Sequence, residues 1–202
     1  SAMYNPAHFT VTDETQLFAL IERSPLGALV THSDGLDANH LPFELDRAAR
    51  RLRAHCARAN PLWQQARDGD ALVIFRGEQH YISPNWYPGK ADTHRRVPTW
   101  NYEVVHVHGT LRIRDDVDYL RSVVSQLTQT HEAQEPRPWS LHDAPGDYID
   151  ANLRAIVGIE IEIVRIVGKF KLGQNLEPRD HEGAASALAA LDSPLARRMR
   201  GG

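Results

Sequence analysis

The chain has 202 residues, 42% of them apolar, with a formal charge of −3 and one cysteine. That is enough apolar material for one sizeable core, or for one domain with an appendage. The near-neutral charge argues against a surface that grips nucleic acid throughout, and a lone Cys56 excludes an internal disulfide or a multi-cysteine metal cluster. No apolar run reaches transmembrane length and no charged-then-apolar leader opens the chain, so a soluble, cytoplasmic protein without membrane contact is expected. Ser1 and Ala2, ahead of Met3, read as an expression scar.

Taken in order, Thr12 followed by two acids opens a helix ending near Arg23, where Ser24-Pro25 stops it. Leu26 to His32 and Leu36 to Leu45 read as a hairpin across Ser33-Asp34-Gly35. Pro42 cannot donate to a ladder, so the second strand is expected to be an edge or to bulge there. Arg50 to Cys56 alternates, with Leu52, Ala54 and Cys56 inward. Asn60-Pro61 opens a short helix running to about Arg67. Two short strands, Ala71 to Phe75 and Glu78 to Ile82, follow across Gly77, and two more, Thr99 to His108 and Thr110 to Arg114, flank Gly109. Helices are expected from Asp115 to about His131 and from Gly146 to Val157, closed by Gly158. Ile159 to Val167 is strand-like with a phase slip near Val164 that predicts a bulge or two covered faces. An Ala/Leu-rich helix from about Asp180 to Leu191 and a fraying, Arg-bearing tail end the chain. Short strands with two helices inserted before the last long one favour an antiparallel barrel decorated by helices, an α+β arrangement that is mainly β. The expected organisation is a scar at 1–2, a barrel domain over 3–175 with inserted helices over 115–157, and a helical tail over 176–202.

Three stretches carry candidate chemistry. Tyr81 to Tyr102 crosses a long loop rich in Pro, Gly, aromatics and cations, the composition of a small-molecule site or of a lid that packs its own rings. Its ends, Ile82-Ser83 and Thr99 to Asn101, are strand termini, and its middle, Trp86 to Arg96, is the part expected to move. His55 to Asn60 ends a strand and opens a helix, where Arg58 and unpaired N–H groups would suit a phosphate, although on spacing alone Asn60 as a plain cap with a solvated Arg58 is the favoured reading because such caps are common. Eleven histidines keep zinc or haem open through His106 and His108 with His80, His94 or His131, yet none has a metal-binding spacing such as H-E-x-x-H. Hydrolase, nucleotide-triphosphatase and helix-turn-helix signatures are absent.

Six motifs in order then carry a resemblance: M-Y-N-P-A-H-F (3–9), N-H-L-P-F (39–43), H-C-A-R-A-N-P (55–61), Y-I-S-P-N-W-Y (81–87), V-P-T-W-N-Y-x-x-V-H-x-x-G (97–109) and G-K-F-K-L-G-Q-N (168–175). The chain resembles the bacterial FMN-binding negative transcriptional regulators of the PaiB type, which share the split β-barrel fold of pyridoxamine-phosphate oxidases. The resemblance implies a homodimer with one FMN near each end of the subunit interface. Carried to this sequence, it places His55, Arg58 and Asn60 near the phosphate or ribityl chain. It places Ile82, Ser83, Thr99, Trp100 and Asn101 near the flavin, flanked by His40 and Leu41, with Lys171, Gln174 and Asn175 from the last motif. Gly173 stands where relatives often carry Ser. The implied role is repression of transcription, with DNA contacted directly or through a partner protein. A flavin-dependent oxidoreductase acting on a small molecule is the alternative, and a haem-binding split barrel a lesser one. No catalytic residue and no metal ligand is assigned.

Overall fold

Alternating apolar residues make strands wherever one face is covered, and the chain folds accordingly into a mainly antiparallel sheet with helices. The computed structural model describes residues 3–202; Ser1 and Ala2, read as a scar, lie outside the described residues. The strands are β1 (Thr10–Val11), β2 (Leu26–His32), β3 (Leu36–Pro42), β4 (Glu44–Asp46), β5 (Arg51–Ala57), β6 (Asp70–Ile82), β7 (Thr99–Arg114), β8 (Ile156–Glu162) and β9 (Arg165–Lys171). The helices are α1 (Glu14–Arg23), α2 (Leu62–Gln65), α3 (Lys90–Thr93), α4 (Val117–Glu132), α5 (Gly146–Arg154), α6 (Pro178–Ala190) and α7 (Leu195–Met199). Neighbours run in the order β3-β2-β6-β7-β8-β5-β4, with β9 joined to β7 and β1, so the path ends at β3 and β4 and stays open. No helix among the described residues is long and apolar enough to cross a membrane.

The chain forms two compact units. One contains residues up to Leu20, Arg76–Val105 and Val167–Gly202; the other contains Ile21–Phe75 and His106–Ile166. In the second, β5 lies between β4 and β8, and Leu52, Ala54, Val73, Phe75, Leu111, Ile159 and Ile161 are fully buried. Each large apolar side chain removed from water in this way contributes about 1.5–3 kcal/mol. The Asp116 carboxylate caps α4 by accepting from the Tyr119 N–H at 2.8 Å, and the Tyr119 hydroxyl donates to the Ile159 carbonyl at 3.0 Å. In the first unit, α6 and α7 bury Ala184, Ala185, Leu188 and Leu195.

Several boundaries differ from the sequence reading, each for a steric or pairing reason. The expected strand from Leu36 to Leu45 breaks at Phe43, just after Pro42, and its halves pair with β2 and β5 respectively. Gly77 and Gly109 interrupt nothing: β6 and β7 run straight through them. Their value is space, since a methyl group at Gly77 would lie 2.7 Å from a Glu103 carboxylate oxygen and one at Gly109 would overlap the Glu162 carbonyl. Gly158 sits inside β8, two residues after α5 has already given way to strand at Ile156. The phase slip near Val164 is a full break, with Val164 exposed and its N–H donating to the His108 carbonyl at 3.0 Å. The tail does not fray. Residues 195–199 form α7, and Arg198 donates to the fully buried Glu103 carboxylate at 2.8 Å.

Candidate functional site

In the first unit, the loop between β6 and β7 begins with Ser83, whose hydroxyl accepts from the Asn85 N–H and caps a single turn over Pro84–Trp86. The middle of the loop, expected to move, is tied down. Asp180, in the first turn of α6 and 0% exposed, accepts from the Gly89 N–H at 2.7 Å and from the Arg96 guanidinium at 2.7 and 3.0 Å. Burial pushes the Asp180 carboxyl up, but the Gly89 and Arg96 donors overcome it and hold its pKa below the ordinary value. Tyr87 is buried beside this pair, whereas Trp100 is exposed and packs edge-on against Tyr81.

The strand end that receives this loop faces two lysines. Lys169 and Lys171 sit at i and i+2 on β9 and share one face of it. Lys171 donates to the Thr99 hydroxyl at 2.6 Å and the Trp100 carbonyl at 2.8 Å. Lys169, 8% exposed, donates to the Tyr4 carbonyl at 3.1 Å and lies over the rings of Tyr4 and Tyr102 at 5.3 and 5.5 Å. Neither lysine is ion-paired to a carboxylate among the described residues. Burial lowers the Lys171 pKa, and the neighbouring Lys169 charge adds to that. Two cations without an anion, one of them over two aromatic rings, make a place where a negatively charged ligand recovers solvation that the protein has lost. Close by, the Asn5 carboxamide donates to the Gly168 carbonyl at 2.9 Å, while its buried Oδ1 has no partner among the described residues.

The other implied residues of this unit have local roles. Ile82 is fully buried and Asn101 is buried with its Nδ2 3.6 Å from the Met199 sulfur. Gln174 folds back on its own turn, accepting from the Leu172 N–H and donating to the Phe170 carbonyl, and Asn175 is exposed. Gly173 takes a φ of +80°, a left-handed conformation in which a side chain is strained.

In the second unit, the N-H-L-P-F and H-C-A-R-A-N-P motifs meet. Asn60 donates to the Asn39 carboxamide oxygen at 2.9 Å and accepts from the Leu62 N–H at 2.9 Å, so it caps α2 and links β3 to it. His40 is exposed and Leu41 buried. The Arg58 fork is spent: it pairs with Asp115 through two bonds at 2.6 and 3.0 Å and donates to the Arg154 and Ile156 carbonyls. His55 is half-buried, its Nδ1 has no partner among the described residues, and burial lowers its pKa. Cys56 is buried, and burial pushes its thiol up to about 11 against the pull of Arg58. His108 lies 3.2 Å from Arg165, and no cluster of three or more His, Cys, Asp or Glu suited to a metal occurs among the described residues.

The sequence reading names Lys171 as a candidate and does not name Lys169, Tyr4, Tyr102 or Asn5, which the structure gathers near it, on or beside β9. The period-2 pattern in G-K-F-K puts both lysines on one face, a signal that was legible; the ring floor comes from residues 98 positions apart and was not.

Residues 3–165 match the family model described as "Putative FMN-binding domain". The chain is 28% identical over 201 residues to the protease synthase and sporulation protein PAI 2 of Bacillus subtilis, covering 98% of this chain and 94% of that protein. An uncharacterized Saccharomyces cerevisiae protein, YKL070W, is 38% identical over 158 residues, 66% of this chain and 93% of its own. Among solved structures, the flavocytochrome Anf3 of Azotobacter vinelandii superposes with a TM-score of 0.59 at 13% identity, covering 80% of this chain and 69% of that one. That likeness assigns the fold class, the antiparallel split barrel with added helices.

Proposed function

The chain belongs to the FMN-binding domain family, FMN is its cofactor, and on that premise we propose that Lys169 and Lys171 hold the phosphate end of the cofactor. The observation that carries this reading is the pair of partly buried cations without a carboxylate partner. A phosphate is the part of FMN that such a pair compensates, each charge-assisted bond being about twice as strong as a neutral one. Trp100 offers an exposed ring face that fits a flavin ring. FMN supplies one- and two-electron redox chemistry when bound. Arg58, already satisfied by Asp115 and two carbonyls, is the weaker phosphate candidate.

The experiment is FMN titration by flavin fluorescence. Lys171→Met is expected to weaken binding by at least tenfold and Arg58→Gln by less than threefold. The reverse ranking would move the phosphate to Arg58.

The flavin-bound protein acts, in this reading, as a homodimer that lowers transcription through a partner protein. Exposed arginines such as Arg47, Arg58, Arg112, Arg121 and Arg179 lie against carboxylates, which offsets their charge toward a DNA backbone, while Arg76, Arg95, Arg137 and Arg197 are exposed without a carboxylate partner among the described residues. Sedimentation of the holoprotein should give twice the chain mass. A gel shift with DNA upstream of its own coding sequence should show no band at physiological salt with the purified protein alone. A salt-dependent, sequence-specific shift would establish direct contact instead.

A further inference from the structure

We propose that the cavity between α4, α5 and β5 is a second binding site, separate from that for FMN, which takes a small planar aromatic molecule carrying one hydroxyl or ring nitrogen. The cavity measures about 400 Å³, within the range of small-ligand sites. Ile149 and Leu153 line it and belong, with Leu120, to the cluster that joins the two helices, so that part of the apolar surface is fixed by the core. Trp139 and Tyr148 line it and are 43% and 61% exposed, two flat rings held at a concave surface without a ring partner among the described residues. Trp139 is positioned by its backbone N–H, which donates to Glu132 at 3.1 Å, and Asn152 is held by donating to the Tyr148 carbonyl at 2.8 Å.

The polar element is His55, which lines the same cavity; its Nδ1 is sealed from solvent without a hydrogen-bond partner among the described residues, so a ligand engages it by turning the ring toward the cavity. A buried ring nitrogen left unpaired is costly, and a ligand that pairs it gains what the free protein forfeits. The imidazole is neutral at physiological pH because burial disfavours its charge. A neutral imidazole among apolar walls is a poor grip for a phosphate and a good one for a hydroxyl, which pairs with either tautomer because it both donates and accepts. The ring faces supply stacking, and the single nitrogen supplies orientation.

The test uses FMN-loaded protein and two probes of one shape, 2-naphthol and 2-methylnaphthalene, followed by calorimetry and by NMR of the Trp139 indole. Saturable binding of 2-naphthol at one per chain is expected, with 2-methylnaphthalene about tenfold weaker, the worth of one buried hydrogen bond. His55→Leu should erase that tenfold preference while keeping the affinity for 2-methylnaphthalene, and Trp139→Ala should weaken both probes. FMN-free protein should bind the probes equally well, which separates this site from the reading of the lysine pair. Equal affinity of the wild type for the two probes would overturn the proposal, as would absence of saturable binding. So would binding that FMN abolishes, since the cavity would then be the flavin's own, or affinity that falls as protein concentration rises, since a second copy would then cover it.

Discussion

Replacing Asp180 with Ala is the sharpest perturbation of the loop between β6 and β7. It removes a fully buried carboxylate that holds the Gly89 N–H and the Nε and Nη2 groups of Arg96, and it leaves that side of the guanidinium facing a hole. Breaking a buried pair from one side costs about 3–5 kcal/mol. Arg96 retains a quarter of its side-chain exposure and can turn partly to water, so the lower end, about 3 kcal/mol, is expected. For a chain of this length that is a fall in Tm of about 6–12 °C. Asp180→Asn keeps the acceptor for the Gly89 N–H but sets an NH2 group against the Nε and Nη2 donors of Arg96, so it loses the pair with Arg96 and should cost nearly as much. The carboxyl titrates below its ordinary 3.8, so its contribution is complete above that pH and is lost as pH falls through the lowered value. Urea unfolding of wild type and Asp180→Asn should therefore differ most at pH 7, begin to draw together below pH 3.8 and meet only below the lowered native value. A loss under 1 kcal/mol for Asp180→Ala, or a difference that grows on acidification, would refute the clamp.

Three further outcomes follow from packing. Gly109→Ala drives a methyl group into the Glu162 carbonyl and should cost about 3 kcal/mol or prevent folding, which thermal unfolding reads. Tyr119→Phe deletes the hydroxyl bonded to the Ile159 carbonyl and should cost about 1 kcal/mol in urea titration, with no change in FMN affinity. Cys56, pushed from 9.0 to about 11, should react with a disulfide reagent at pH 8 about a hundredfold more slowly than an ordinary thiol, and at the ordinary rate in denaturant.

Local pattern made most elements legible. The alternation of Leu52, Ala54 and Cys56 fixed the face of β5, and the Asn60-Pro61 opener located α2. Long-range pairing was not legible. The break at Phe43 arises because each half of the run finds a different partner strand, the strands on either side of Val164 both pair with β7, and Gly77 and Gly109 serve side chains or carbonyls on neighbouring strands. At the site, the motifs named Lys171 and Thr99, which do touch. They also named Arg58 as an anion grip, and no local signal reveals that Asp115, 57 residues on, occupies its fork. The loop middle looked mobile from its composition because Asp180, which anchors it, lies beyond the next strand pair.

The central claim, that the lysine pair on β9 holds the phosphate of FMN, is tested most directly by comparing FMN with riboflavin, the same flavin without its phosphate. Wild type and Lys171→Met should bind riboflavin within twofold of each other, while FMN binding falls at least tenfold in the variant. Equal losses for both flavins, or no loss for FMN, would contradict the assignment.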